Sequence, residues 1–162
     1  MRVLLVNVID ISSNVESQAP PLGLAYLASF LRRKVSEIEV KIIDRNIHEC
    51  TRQFRPNLVG LSTVSQNWGQ AERLARYFKQ NGAVVVVGGH HVSALPHKLS
   101  PEMDIGVIGE GEETFCELVK VFQEHGLDRR FLGDIKGIAY HDDRGQITVT
   151  LPRGFIFDLD TI

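Results

Sequence analysis

Apolar and polar positions fall in blocks along this chain. Val3–Val8 is an apolar run interrupted at Asn7, and after the long loop Ile9–Ala19 comes Pro20-Pro21. Leu24, Leu27, Ala28 and Leu31 then share one face, which predicts a helix. Its start carries prolines and its last turn Arg32-Arg33-Lys34, where cations complement the helix dipole. Val40–Ile43 reads as a second strand closed by Asp44, and Leu58–Leu61 as a third, preceded by Pro56-Asn57. Trp68, Ala71, Leu74, Ala75 and Phe78 keep helical spacing up to Asn81-Gly82, a helix-end signature. Ala83–Val87 and Ile105–Ile108 are apolar without alternation, as expected of strands covered on both faces. Phe115, Leu118, Val119 and Phe122 mark a further helix that stops near Gly126.

Strands separated by helices in this way predict a parallel α/β sheet of five strands with right-handed crossovers. The tail changes character. Gly137–His141 and Gln146–Leu151 alternate around Asp142-Asp143-Arg144-Gly145, the pattern of an antiparallel hairpin. No internal repeat is visible.

Composition narrows the function classes. The 162 residues carry a net charge of −2, without the basic face that a nucleic-acid binder needs. A hydrophobic fraction of 43% supports a proper core, and no apolar run approaches the roughly 18 residues that span a bilayer. The first ten residues read as a strand, not a secretion signal. Cys50 and Cys116 are too few for a disulfide framework or a cysteine metal site; two buried thiols in a reducing cytoplasm are expected.

In an open parallel sheet the ligand crevice lies beyond the carboxyl ends of the strands. The residues there are small and polar: Asn7, Ser62-Thr63-Val64-Ser65-Gln66, Gly88-Gly89-His90-His91 and Gly109-Glu110-Gly111-Glu112. Gly88-Gly89 removes two side chains where a buried strand emerges, which suits either a tight left-handed turn or the close approach of a bulky ligand. The neighbouring Ser-Thr pair presents small groups to the same slot, while Ser65 or Asn67 would also serve as N-cap of the Trp68 helix. His91 reads equally as a ligand contact and as a solvent-facing or capping residue; His125 and His141 read as surface residues, and Cys116 as packing. Glu110, Glu112 and Glu113 crowd a helix start where a pyrophosphate would be repelled and the third glycine of GxGxxG is missing, which excludes a dinucleotide site on that loop. P-loop chemistry and a receiver-type acidic cluster are absent too.

The order of these segments carries a resemblance. PPLGLAYLASFLR, a strand ending in IIDRN, RPNLVGLSTVS, AVVVVGGHHVSALP, DIGVIGEGEETF, GIAYHDDRGQI and PRGFIFDLDTI together resemble the N-terminal cobalamin-binding domain of cobalamin-dependent radical S-adenosylmethionine enzymes. The resemblance implies a flavodoxin-like, Rossmann-like doubly wound parallel five-stranded sheet with a C-terminal antiparallel hairpin. It further implies a cobalamin-binding domain over 1–135, and over 136–162 a hairpin and linker toward a radical S-adenosylmethionine barrel of the same parent chain. The corrin would lie on the carboxyl ends of the strands, with its nucleotide tail inserted between them. Ser62, Val64, Gly88 and Gly89 match the family's tail-binding pattern, and the full candidate cofactor-binding set is Ser62, Thr63, Val64, Ser65, Gly88, Gly89, His91, Gly109, Glu110 and Gly111.

Two departures qualify the resemblance. The mutase-type DxHxxG motif is absent, since residues 9–20 hold no histidine and DRNIH at Asp44–His48 follows the wrong strand. Base-off cobalamin without a histidine ligand is implied; Asn7, Asp10 and the Ile9–Ala19 loop are lower-face candidates by position. The CxxxCxxC motif of an iron–sulfur cluster is also absent, so the chain is expected to be a piece of a longer enzyme that supplies the cluster and S-adenosylmethionine, of methyltransferase or cyclase type. The rival expectation is a degenerate domain that binds no corrin and serves as a docking or lid module. An open slot at Ser62, Gly88 and Gly89 favours the first, and Gly89→Leu is expected to block it while sparing the fold.

Overall fold

A computed structural model of the chain describes residues 1–9 and 20–154. Among them, β1 (Arg2–Asn7), β2 (Glu39–Ile43), β3 (Leu58–Ser62), β4 (Val84–Gly88), β5 (Ile105–Val107), β6 (Ile138–His141) and β7 (Ile147–Val149) form one sheet. Its order is β2-β1-β3-β4-β5-β6-β7. The first five strands are parallel, as expected, and the hairpin extends the sheet antiparallel from the β5 edge. Asp10, most of the Ile9–Ala19 loop and the end of the expected linker lie outside the described residues.

The helices are α1 (Leu22–Lys34), α2 (Ile47–Phe54), α3 (Trp68–Gln80), α4 (His90–Ala94) and α5 (Glu112–His125). Side chains alternate across a strand, so the sheet has two packed faces. Val3, Leu5, Leu58, Val86, Ile105 and Val107 pack with α1 and α5, through Leu24, Ala28, Leu31, Phe115, Leu118 and Val119. Leu4, Val6, Val59, Leu61, Val85 and Val87 pack with α2, α3 and α4, through Phe54, Ala71, Ala75, Phe78 and Val92. This three-layer arrangement explains why the central strands read as unbroken apolar runs.

Two helices go beyond the sequence expectation. In α2, Ile47, Cys50 and Phe54 face the second core, but eight residues spread this stripe too thinly to stand out. Helix α4 spans five residues and buries only Val92. Cys116 is buried as expected, whereas Cys50 is half-buried. His125 is exposed, while His141 is half-buried with Nε2 3.2 Å from the Ser100 carbonyl oxygen.

The hairpin turn is held by the Asp142 carboxylate, which accepts from the Arg144 and Gln146 amides, both at 2.8 Å. After β7 the chain returns across α5. Arg153 Nε donates to the fully buried Thr114 Oγ1 at 2.8 Å, and its guanidinium also pairs with Glu113 and Glu117.

Gly106 shows how tightly β5 meets α4: a Cβ there would lie 2.7 Å from Val92 Cγ2 and 3.3 Å from Leu99 Cδ1. Gly106→Val should therefore destabilise the fold by about 1–3 kcal/mol, the usual cost of overpacking, seen as a lower urea midpoint. An unchanged midpoint would contradict this packing.

Candidate functional site

The face of the sheet toward α1 and α5 loses bulk as the strands run to their carboxyl ends. On β3 the residues facing that side run Leu58, Gly60, Ser62; on β4 they run Val84, Val86, Gly88. The two strands are paired in register, Gly60 beside Val86 and Ser62 beside Gly88. Parallel pairing thus sets a glycine next to a serine at the last rung, and among the described residues no side chain fills the space above them. The result is a cavity of about 240 Å³.

Helices supply the opposite wall, with Gly23, Leu24 and Leu27 from α1 and Phe115 from α5. Leu5, Val86 and Val107 form the apolar floor, and Gly109, Glu110, Gly111 and Glu112 rim the mouth at the start of α5. The lining glycines leave real space. A Cβ on Gly23 or Gly109 would meet nothing within 4 Å, and on Gly88 the nearest atom would be Val107 Cβ at 4.0 Å. Gly60 differs: its Cβ would lie 2.9 Å from Leu5 Cδ2 and 3.2 Å from Phe115 Cζ, so it lets Phe115 lie flat against the strand.

The opening is therefore between the sheet and the α1/α5 layer, not between β3 and β4. The expected tail path between strands is closed by their hydrogen-bonded ladder, which continues beyond the last rung where the Thr63 amide donates to the Gly88 carbonyl at 3.1 Å.

Gly88 and Gly89 have separate jobs. Gly88 ends β4 and keeps the cavity clear. Gly89 has φ +107° and ψ −173°, a region that only glycine occupies readily. Its Cβ would fall 2.4 Å from the Thr63 carbonyl oxygen. A substitution at Gly89 would thus displace the backbone, contrary to the expectation that Gly89→Leu acts locally and spares the fold.

Of the ten sequence candidates, Ser62, Gly88, Gly89, Gly109, Glu110 and Gly111 come together around this cavity. Thr63, Val64, Ser65 and His91 do not line it. Thr63 is buried and its hydroxyl donates to the Val64 carbonyl at 3.1 Å. Ser65 and His91 meet instead beyond the strand ends, where α4 approaches the turn before α3, with Oγ and Nδ1 3.0 Å apart. The His91 ring is stacked on Trp68 at 4.1 Å between centroids. Neither Ser65 nor Asn67 caps α3 through its side chain; Asn67 Nδ2 donates to the Val8 carbonyl at 3.1 Å, tying the end of β1 to that helix.

Gly60, Gly23, Leu24, Leu27 and Phe115 were absent from the sequence candidates. The signal for Gly60 lies in the strand period: it precedes Ser62 by two residues and so faces the same side.

The site holds little titratable chemistry of its own. Among the described residues no cluster of three or more histidine, cysteine or carboxylate groups could hold a metal ion. Burial pushes the Cys116 thiol above its ordinary pKa, outweighing Lys120 and Lys34 nearby, so it stays protonated at neutral pH. Shape, not acid–base chemistry, is what the cavity offers.

A profile of the B12 binding domain matches residues 9–119. The chain is 34% identical over its full length to an uncharacterized methyltransferase, PH0819, of Pyrococcus horikoshii, and spans 37% of that protein. It is 26% identical, again over its full length, to the anaerobic magnesium-protoporphyrin IX monomethyl ester cyclase of Cereibacter sphaeroides, of which it spans 28%. Its fold is similar to part of the cobalamin-dependent S-adenosylmethionine radical enzyme OxsB, solved with aqua-cobalamin and S-adenosylmethionine. There the TM-score is 0.73 at 22% identity, covering 95% of this chain and 22% of that one.

The contrast between adjacent glycines is directly measurable. Gly89→Leu should lower stability by at least about 1–3 kcal/mol, from backbone strain and the clash with Thr63. Gly88→Leu, pointing into open space, should stay within about 0.5 kcal/mol of the parent chain. Urea unfolding of the two variants checks this, and equal midpoints would refute the division of roles.

Proposed function

The chain belongs to the B12-binding domain family, and from that premise we propose that it holds cobalamin base-off as the cofactor-carrying domain of a longer radical S-adenosylmethionine enzyme of methyltransferase type. The observation that carries this reading is the cavity cleared by Ser62 and Gly88 on the last rung of β3 and β4. At about 240 Å³ it is smaller than the roughly 300–1,000 Å³ of a site that engulfs a whole drug-sized ligand. It suits a ring at the end of an arm, with the bulk of the cofactor outside.

The residues fit that division. The nucleotide base would lie on Leu5, Val86, Val107 and Phe115, against Leu24 and Leu27. Ser62 would present its hydroxyl to the base from the strand end. The corrin would rest on the segments beyond the strands, which carry Thr63, Val64, Ser65 and, on α4, His91, and where Gly109 and Gly111 allow close approach. That no histidine ligates the cobalt is supported by a cavity lining that holds no histidine among the described residues and by the Ser65 and Trp68 contacts that hold the His91 ring. When bound, cobalamin supplies a cobalt able to carry a methyl group, and this chain's share is to position it and shield its tail from water.

S-adenosylmethionine and the iron–sulfur cluster would come from the barrel of the parent chain, consistent with the small fraction of each relative that this chain spans. Among the described residues no helix is long and apolar enough to cross a membrane.

The test is retention of hydroxocobalamin. The chain, mixed with the vitamin and desalted, should keep corrin absorbance near one equivalent. Gly88→Leu should weaken retention about tenfold or more, since the side chain occupies the space of the base, with circular dichroism unchanged. No retained corrin would overturn the proposal in favour of a docking or lid module. Cobalamin at a hundred times its Kd should also stabilise the folded state by about 2.7 kcal/mol. For a chain of this size that raises Tm by about 5–10 °C. A melting temperature insensitive to saturating cobalamin would count against binding to the native fold.

A further inference from the structure

The side chains inside the cavity are almost all apolar. Leu5, Leu24, Leu27, Val86, Val107 and Phe115 supply its apolar side-chain surface, and Glu110 and Glu112 line it where the chain enters α5. Among the described residues, Ser62 brings the sole side-chain hydroxyl of the lining. That hydroxyl has no hydrogen-bond partner among the described residues, so it has a donor to give.

We infer that this cavity selects among cobamides by their lower base, taking an apolar benzimidazole and rejecting a purine. The inference rests on the proposed cobamide-binding reading and adds to it a ligand class and the residues that set it.

The argument is a count of polar atoms. A base-off benzimidazole has one free ring nitrogen, an acceptor, and Ser62 offers one hydroxyl to meet it. Its remaining surface is hydrocarbon that gains from leaving water. A purine of the adenine type carries three free ring nitrogens and an amino group. Apart from Ser62, the interior side chains of the described residues have no polar atoms to pair with them. Each unpaired group forfeits its hydration without return, and this is how sites reject close analogues. The lost pairing acts in the bound state alone, so it weakens retention of the purine form without altering the fold.

Val107 is the residue best placed to test the cause. It lies on β5 facing the cavity, its Cβ 4.0 Å from where a Cβ on Gly88 would sit. Val107→Thr keeps the side-chain shape and adds a hydroxyl, giving a purine a second partner.

The experiment measures the dissociation constants of three corrinoids for the chain by equilibrium dialysis: cobalamin, adeninylcobamide and cobinamide, which lacks a nucleotide. Cobalamin should bind about tenfold or more tightly than adeninylcobamide, and cobinamide should also be weaker than cobalamin. Val107→Thr, shown folded by circular dichroism, should narrow the gap between the two cobamides by tightening the purine form relative to cobalamin. Equal binding of the two cobamides, both tighter than cobinamide, would overturn the selectivity and leave the cobamide-binding reading standing. An unchanged gap in Val107→Thr would overturn the polar-atom count as its cause. Cobinamide held as tightly as cobalamin would show that the cavity takes no base, and failure of all three to bind would overturn both readings.

Discussion

The parallel pairing of Ser62 with Gly88 is the constraint on which the site depends. Backbone hydrogen bonds hold β3 and β4 together to their carboxyl ends regardless of side chains, so the strands need no bulk there to stay paired. The face toward α1 and α5 can therefore be emptied at its last rung without opening the sheet. On the opposite face, Leu61 and Val87 occupy the adjoining rung and are both buried. Each strand end is thus packed on one side and cleared on the other, a consequence of the two-residue period of the backbone.

A vacancy in an apolar wall normally costs stability, because its lining loses contacts. Here the cost is confined. Gly60 does not add to the vacancy; it lets Phe115 approach the strand and seal the inner end. The cavity begins only beyond that contact, where α1 is also thinned by Gly23. Below it, Val3, Leu58 and Leu31 are fully or almost fully buried. The molecule concentrates its packing at the amino ends of the strands and keeps its space at the carboxyl ends.

Much of this was legible in the sequence, and the reasons for the remainder are physical. The central parallel strands announced themselves as apolar runs because both faces are covered, and the hairpin because one alternation follows another across Asp142–Gly145. Helix α2 went unseen because its buried stripe is only three residues. Ser62 and Gly88 could be found as small residues at strand ends. Their partnership with Gly60, Leu24 and Phe115 could not, since it depends on which face each element presents. Thr63, Val64, Ser65 and His91 follow within a few residues of the cavity residues Ser62 and Gly88, and sequence position alone does not separate a strand's last inward side chain from the segment that follows it.

Gly88 and Gly89 make that separation sharpest. As letters they are identical neighbours, and both suit either a turn or a close approach. In the fold the first is ordinary strand, replaceable wherever its side chain finds room, and its glycine identity matters for what can enter the cavity. The second is fixed by its own backbone, whose positive φ turns the chain into α4 while the Thr63 carbonyl crowds the place a side chain would take. One glycine leaves space that no side chain of the described residues takes, and the other is required by the backbone itself. A dipeptide that reads as a single feature therefore combines an open position on the cavity with a fixed demand of the backbone, and on the proposed reading the first is the one that bears on binding.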